Sequence, residues 1–133
     1  MCLLAAVVDW SETAISCSAV SHSDPANPLR ADGRLGAANG IEYAAQAMAV
    51  HGALLAAADE PPRQGYLASV RGVQLHVARL DDLPGELSIT AERLSGDGNH
   101  ILYRFAVSHA GHCLLEGRAA VILDATARKE NPS

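Results

Sequence analysis

One carboxylate stands near the start of a long run of small and apolar residues. The run is GIEYAAQAMAVHGALLAAA, residues 40–58, and Glu42 is its only charged residue. A helix that is apolar all round is buried on all sides, so this composition predicts a buried acid. A buried carboxyl group holds its proton to higher pH and can serve as a proton donor. The alternative for Glu42 is an acid that only interacts with the positive end of the helix dipole.

Two further polar residues fall on the same side of the predicted helix. Asn39 lies three residues before Glu42 and Gln46 lies four residues after it, so the three form a polar stripe. Gln46 either orients a catalytic group or bonds to nearby backbone. Asn39 or Gly40 is expected to cap the helix. The free N–H groups of Gly40 and its neighbours would then offer a site for a developing oxyanion.

Histidines are the candidate partners for this acid. His22, at the end of the second predicted strand, is either a catalytic base or a residue that closes the following loop. His51 lies nine residues after Glu42, on the opposite face of the helix, and is predicted to pack in the core or at an interface. The segment HAGHC, residues 109–113, is predicted to be a hairpin turn and not a metal site, because it brings no carboxylate or fourth ligand with it.

The composition limits the class of protein. The chain has 133 residues, 49% hydrophobic and 19% charged, which predicts one globular domain. A net charge of −5 argues against binding to nucleic acid or to a membrane surface. No uncharged apolar stretch approaches the roughly 20 residues of a membrane span, and the start does not resemble a signal peptide. Three cysteines without a C-x-x-C pair predict no disulfide framework, so we expect a reduced, cytoplasmic protein.

No cofactor motif is present in the sequence. The glycines at positions 33, 36 and 40 lack the spacing of the dinucleotide fingerprint, and no strand leads directly into them. No G-x-S-x-G motif marks a serine hydrolase. We therefore expect no cofactor and no metal.

The segments around the helix have the patterns of strands. The helix is predicted from about Asn39 to Ala57, after a loop over residues 23–36, and residues 125–133 are predicted to be a frayed tail. Asp97-Gly98 and Ala110-Gly111 are typical of hairpin turns. This order predicts an α+β domain spanning residues 1–133, with one long helix against a mostly antiparallel sheet. The predicted strands cover residues 2–9, 14–22, 65–80, 87–94, 100–109 and 113–125.

Several stretches resemble the hotdog-fold 3-hydroxyacyl-[acyl carrier protein] dehydratases. GIEYAAQA, residues 40–47, looks like the start of their central helix, which has an acid, three residues, then Gln. LASVRGVQLHVARLDDLPGELSI, residues 67–89, resembles their next strand pair, and MCLLAAVVDW, residues 1–10, resembles their first strand. Residues 27–54 are similar to the predicted dehydratase subfamily associated with aryl polyene pigment clusters. A short Pro-His segment usually precedes the first strand in the family, so Met1 is expected to be a shortened start.

The resemblance implies a site and a reaction. In the family the helical acid, here Glu42, protonates the leaving hydroxyl of a 3-hydroxyacyl thioester, and a histidine removes the C2 proton. The backbone N–H of Ser69, where dehydratases commonly have Gly, would help to polarise the thioester carbonyl. The family's His-Phe-Pro motif is replaced here by NPLRADGRLG, residues 27–36, which has no histidine. His22 is then the nearest upstream candidate for the base.

The resemblance also implies partners and leaves three functions open. The substrate would be tethered to an acyl carrier protein, and the protein would be a homo-oligomer, at least a dimer whose sheets join edge to edge. The first function is a dehydratase in fatty-acid or polyketide-like biosynthesis. The second is a catalytically silent subunit that forms a hetero-oligomer with an active dehydratase. The third is a hotdog thioesterase, in which the acid activates water.

Overall fold

The computed structural model describes residues 2–56, 65–96 and 99–123. They form six strands, one α-helix and two short 3₁₀ helices. In chain order these are β1 (Ala6–Trp10), β2 (Ala14–Ala19), a first 3₁₀ helix (Ser21–Ser23), a second 3₁₀ helix (Ala37–Asn39), α1 (Gly40–Leu55), β3 (Gly65–Leu75), β4 (Leu87–Gly96), β5 (His100–His109) and β6 (His112–Leu123).

The six strands form one antiparallel sheet with α1 packed on one face. The strand order is β1-β2-β4-β5-β6-β3, so β1 and β3 are the edge strands. In β4, Leu87, Ile89 and Ala91 are buried, whereas the alternate residues Ser88 and Thr90 are exposed. This period of two turns every second side chain toward the helix. The α+β class and the helix-on-sheet arrangement are confirmed.

Small residues bring the start of α1 close to the sheet. Gly40, Ala44 and Ala47 are all buried against it. A Cβ atom at Gly40 would lie 2.6 Å from Cδ2 of Leu115 on β6, closer than real side chains approach. Without a Cβ at position 40 the helix start packs directly on Leu115, and a larger residue there would force Leu115 or the helix to shift.

The helix is not buried on all sides, so that prediction was wrong. Its sheet-facing side is buried, but Glu42, Ala49 and Ala53 are exposed and Ala45 and Gly52 are half-buried. The composition predicted full burial because these exposed residues are small and, apart from Glu42, uncharged. A single sheet layer covers only one face of a helix.

No helix in the described part of the chain combines the length and apolarity needed to cross a membrane.

Two predicted strands end early because their last residues make other contacts. The second strand ends at Ala19 and not at residue 22, since the chain turns there into the first 3₁₀ helix, where Asp24 N–H bonds to Ser21 O at 3.1 Å. The first strand is Ala6–Trp10 in place of the predicted residues 2–9, whereas His100–His109 is β5 as predicted.

The predicted strand over residues 65–80 ends at Leu75 for a long-range reason. Residues 78–80 pair with residues 35–37, which directly precede the helix. Ala37 N–H donates to Ala78 O at 3.0 Å, and Leu80 N–H donates to Leu35 O at 2.8 Å. α1 ends at Leu55, two residues before the predicted end at Ala57, and Ala56 is already extended. The Asp97-Gly98 turn and the tail over residues 125–133 lie outside the described residues.

The hairpin predicted at Ala110-Gly111 is present and joins β5 to β6. Both residues have positive φ, 49° and 84°. A second turn of this kind, not predicted, forms at Asp32-Gly33, where Ala31 and Arg34 exchange backbone hydrogen bonds of 2.8 and 3.0 Å. The signal for it was an Asp-Gly pair inside the segment assigned to a loop.

Replacing Ala110 should stabilise the protein. An alanine in the left-handed region pays about 1–2 kcal/mol, which asparagine largely avoids. We expect Ala110→Asn to raise the free energy of unfolding by about 1 kcal/mol, measured by urea denaturation. The matched change Gly111→Ala places a Cβ at the other positive φ and should destabilise. Equal effects of the two substitutions would contradict this account.

Candidate functional site

The start of α1 is extended by the second 3₁₀ helix, which uses the N–H groups expected to be free. Asn39 N–H donates to Gly36 O at 3.0 Å, and Gly40 N–H bonds to the carbonyls of Ala37 and Ala38. The expectation of a free Gly40 N–H was therefore wrong. The Asn39 side chain does not cap the helix, because its amide donates to Gly36 O at 3.1 Å.

A buried carboxylate fastens the segment before the helix to the β3–β4 connection. Asp81 Oδ1 accepts the Leu35 N–H at 2.8 Å and the Arg79 Nε–H at 3.1 Å, and Arg79 Nη2 also bonds to Asp81 Oδ2. The Arg79 guanidinium, followed by the Leu35 N–H, holds the pKa of Asp81 well below its usual range. Together with the pairing of residues 35–37, this bond fixes where the helix begins.

The first turn of α1 is held from its other side by a chain of hydrogen bonds. Asn27 Nδ2 lies 3.1 Å from the Tyr43 hydroxyl, which lies 2.8 Å from Ser21 Oγ, which donates to Leu3 O at 2.8 Å. Tyr43 is fully buried and Asn27 nearly so. A buried network in which every member has partners holds one geometry. It ties the loop, the first 3₁₀ helix and the N-terminal segment to the helix.

Gln46 joins the same N-terminal segment. Its Oε1 accepts the Leu3 N–H at 2.7 Å. This is the backbone contact expected for Gln46, and orienting a catalytic group stays a prediction.

Glu42 lies in the first turn of α1 with its side chain exposed. The prediction that it is buried was wrong for the single chain, because the sheet covers only the opposite side of the helix. Within the described residues its carboxylate makes no hydrogen bond or ion pair. The backbone that carries Glu42 is thus firmly held, while its carboxylate is free to meet another molecule.

His22 is fully buried in the first 3₁₀ helix. Its Nε2 lies 3.0 Å from Leu83 O and therefore donates to it, which leaves Nδ1 as an acceptor without a partner among the described residues. Burial lowers the pKa of His22, so the neutral ring is favoured. No hydrogen bond in the described part of the chain joins His22 to Glu42. This position matches the loop-closing role; catalysis by His22 stays a prediction.

His51 is a core residue, as predicted. It is fully buried on α1, with Nδ1 2.7 Å from the Tyr103 hydroxyl and Nε2 2.8 Å from Ser11 O. Both ring nitrogens are engaged, and the Tyr103 ring meets the imidazole edge-on at 74°. Desolvation raises the pKa of Tyr103, so its hydroxyl stays a donor to His51.

Ser69 lies on the edge strand β3, directly after a bulge. The pairing with β6 moves from Leu67–Val121 to Ser69–Ala120, so Ala68 is the extra residue. Since β3 is an edge strand, its outer side has no neighbouring strand in the described chain. The predicted role of the Ser69 N–H toward a thioester stays a prediction.

Two grooves on the outer face of the sheet are lined by residues other than Glu42. One of about 360 Å³ is lined by residues such as Trp10, Thr90 and Arg104, whose strands separate it from the helix. Another of about 300 Å³ is lined by Ser69, Arg71 and Arg118 among others.

The sequence prediction missed three residues that position the site. Tyr43, Asn27 and Asp81 hold the helix start, yet none was identified beforehand. Tyr43 was visible as the one large polar-tipped side chain in the first helical turn, and a buried tyrosine hydroxyl usually finds a partner. Asp81 gave no signal, because its contact with Leu35 spans 46 residues.

Comparison with known proteins places the fold and the family. The sequence profile of the ApeP-like family, described as ApeP dehydratase, matches residues 1–130. The dehydratase heterocomplex ApeI:P from Xenorhabdus doucetiae contains a chain with 25% identity and a TM-score of 0.77, covering 91% of this chain and 82% of that one. Among curated proteins, no sequence matches this chain.

More distant structures share the hotdog fold. A thioesterase from Staphylococcus aureus has 13% identity and a TM-score of 0.66, covering 89% of this chain and 91% of that one. The fluoroacetyl-CoA-specific thioesterase FlK has 17% identity and a TM-score of 0.61, covering 92% and 99% respectively. At these identities the likeness concerns the fold alone, which is the hotdog arrangement expected from the sequence.

Neutralising Asp81 should weaken the fold in a pH-dependent way. Its folded pKa lies below the unfolded value of about 3.9, so its contribution is present above that pH and is lost as pH falls through the folded value. Asp81→Asn should therefore lower the urea midpoint at pH 7, and the difference from the unchanged protein should shrink below about pH 4. Asp82→Asn is the matched control, because Asp82 is exposed and lies 3.9 Å from Arg79. A pH-independent loss in Asp81→Asn would contradict this role.

Proposed function

Because the chain belongs to the ApeP-like dehydratase family, we propose that it dehydrates 3-hydroxyacyl thioesters carried by an acyl carrier protein. The product is the trans-2-enoyl thioester, made in the cytoplasm for fatty-acid or aryl polyene-type synthesis. Glu42 is the proton donor. The observation that carries this assignment is a carboxylate without a partner among the described residues, held on a rigid helix start.

The reaction needs one proton removed and one supplied. A base takes the C2 proton, and the electron pair of that C–H bond becomes the C2–C3 double bond. The C3–O bond breaks, and the hydroxyl leaves as water with the proton from the carboxyl group of Glu42. Polarising the thioester carbonyl stabilises the charge that develops at C2. For this carbonyl we propose the N–H of Ser69, because Gly40 uses its own N–H within the chain.

We infer that a second subunit completes the site. In the single chain Glu42 is exposed, whereas acid catalysis on a bound thioester works best where bulk water is excluded. The exposed stripe of α1 continues from Glu42 through Ala49 and Ala53, without another charge. Small residues let a second helix approach closely, and covering the stripe would remove water from the acid. The edge strand β3 can extend the sheet into that subunit.

The catalytic base is the unassigned part of the proposed site. This favours a second form of the function, in which another subunit supplies the base. His22 is buried with its Nε2 bonded to Leu83 O, and both nitrogens of His51 are engaged. A chain whose helical acid makes no bond to a histidine among the described residues suits a subunit that works with another dehydratase. The solved relative at 25% identity comes from a dehydratase heterocomplex, which supports this form. In it, Glu42 and the partner's base would share one site.

Mass spectrometry of a 3-hydroxyacyl carrier protein separates these functions. Loss of one water with the chain alone indicates a self-sufficient dehydratase. Loss of one water only after a second hotdog dehydratase is added indicates the subunit form. Release of the acyl group indicates a thioesterase. No change in either mixture would overturn the proposal.

Removing the proton of Glu42 should abolish dehydration without unfolding the protein. Glutamine keeps the shape of the side chain but cannot donate a carboxyl proton, so Glu42→Gln should lower kcat at least about 10²-fold. Glu12→Gln, at an exposed glutamate in the β1–β2 turn, is the matched control and should keep full activity. Full activity in Glu42→Gln would contradict the catalytic role and leave Glu42 only an interaction with the helix dipole.

A bulky charge on the exposed stripe should prevent assembly. Ala49→Arg places a long cation in the middle of the small-residue stripe of α1, and we expect sedimentation at micromolar concentration to shift from dimer or larger toward monomer. Ala26→Arg, on an exposed loop, is the control and should leave the mass unchanged. A monomer in the unchanged protein, or a dimer in Ala49→Arg, would contradict the role of the stripe.

A further inference from the structure

Three different metal-binding side chains converge near the β5–β6 hairpin, on residues that the proposed reaction does not use. His76, Cys113 and Glu116 place their ligand atoms within 4.8 Å of one another. His76 Nε2 lies 3.0 Å from Glu116 Oε2. The side chains of His76 and Glu116 are 42% and 47% exposed, so the cluster is open to solvent.

A bulge in β6 builds this cluster. In a regular strand, residues three apart face opposite sides of the sheet. In the pairing with β5, Val107 is opposite Leu115 and Ser108 is opposite Cys113, so Leu114 is an extra residue. Leu114 and Leu115 are both buried, and the exposed Cys113 thiol therefore comes close to the Glu116 carboxylate on the outer side. Bulges re-aim side chains in this manner.

The third side chain is fixed by the end of β3. His76 N–H donates to Leu114 O at 2.8 Å, so the backbone of His76 is tied to the bulge itself. The ligands thus come from two strands whose relative position is set by backbone hydrogen bonds. This long-range contact explains why the sequence predicted no metal here. Residues 109–113 contain no carboxylate themselves, since Glu116 lies three residues further on and His76 lies 37 residues before Cys113 in the chain.

We propose that His76, Cys113 and Glu116 bind a divalent, thiolate-preferring metal ion, of which Zn²⁺ is the natural example. Zinc sites use this mixture of sulfur, nitrogen and oxygen donors, with bonds of about 2.0–2.3 Å. Tetrahedral geometry at those bond lengths separates the ligand atoms by roughly 3.3–3.8 Å. His76 Nε2 and Glu116 Oε2, now 3.0 Å apart, would separate slightly, and Cys113 Sγ, within 4.8 Å of both, would move in by up to about 1 Å. Exposed side chains accommodate such shifts by rotation.

Binding is balanced by release of the thiol proton to solvent. The His76 ring shifts its proton from Nε2 to Nδ1, so that Nε2 can coordinate the ion beside the Glu116 carboxylate, and Cys113 coordinates as the thiolate. Three protein ligands leave the fourth position to water, so the site is open. A bound ion would join the end of β3 to β6. It would sit on the side of β6 opposite Leu115, which contacts the helix at Gly40.

Cobalt titration tests the site directly, with the tag-free, reduced protein. Co²⁺ bound by a thiolate gives an intense near-ultraviolet charge-transfer band and visible bands typical of tetrahedral geometry. We expect one equivalent to bind, Zn²⁺ to displace it, and Zn²⁺ to raise the Tm. Cys113→Ala should abolish the charge-transfer band. His76→Ala and Glu116→Gln should each weaken binding at least about 10-fold, the lower end of what even supporting residues cost.

Two exposed neighbours serve as controls. Cys2→Ala removes another accessible thiol, and His112→Ala removes a nearby histidine outside the cluster. Both should keep the Co²⁺ spectrum and affinity, with folding of every variant checked by circular dichroism. Absence of the charge-transfer band in the unchanged protein, or its persistence in Cys113→Ala, would overturn the proposal. Its loss in Cys2→Ala would do the same.

Discussion

The close approach of α1 to β6 at Gly40 is the constraint on which the rest of the arrangement depends. With no Cβ at this position, Leu115 fills the space directly beneath the helix start. Buried Ala44 and Ala47 continue the close approach along the helix. Because interiors are close-packed, a side chain at position 40 would have to lift the helix or displace Leu115. The depth of the helix in turn decides whether the Tyr43 hydroxyl reaches Ser21, so packing and hydrogen bonding at the helix start depend on each other.

The close approach at Gly40 gives the adjacent residues Glu42 and Tyr43 different roles. Successive residues on a helix point about 100° apart, so burying Tyr43 against the loop turns Glu42 outward. Tyr43 carries the structural bonds, and Asp81 secures the preceding segment from the other side. The carboxylate of Glu42 therefore rests on backbone fixed by two independent contacts, although it takes part in neither. An acid held in this way does not need to be positioned by its own side-chain bonds.

The sequence predicted the parts of the fold that depend on local pattern. The alternation of apolar residues predicted β4 and β5, and the pair Ala110-Gly111 predicted the hairpin that joins β5 to β6. The prediction from the sequence failed where two contacting segments are far apart along the chain. Residues 78–80 look like the end of a strand, but their partners are residues 35–37. Composition also could not separate a helix buried on all sides from one whose exposed face is mostly alanine and apolar residues, since apart from Glu42 both lack charge. The exposure of Glu42 follows from that difference.

The same exposed face gives a physical reason for a lone acid on an apolar helix. A carboxylate buried by its own chain would lose its hydration during folding. This free-energy cost would be incurred before any substrate is bound. On an exposed stripe, folding leaves the acid hydrated, and only assembly would remove the water. Under the proposed function, desolvation of Glu42 is deferred to the step that also brings the base. The engagement of His22 and His51 within the chain fits this division, because each histidine supports the frame and neither competes for the acid. Under the proposed function, the chain folds as a stable frame around a site that a second subunit completes, and its chemistry would depend on which subunit covers the stripe.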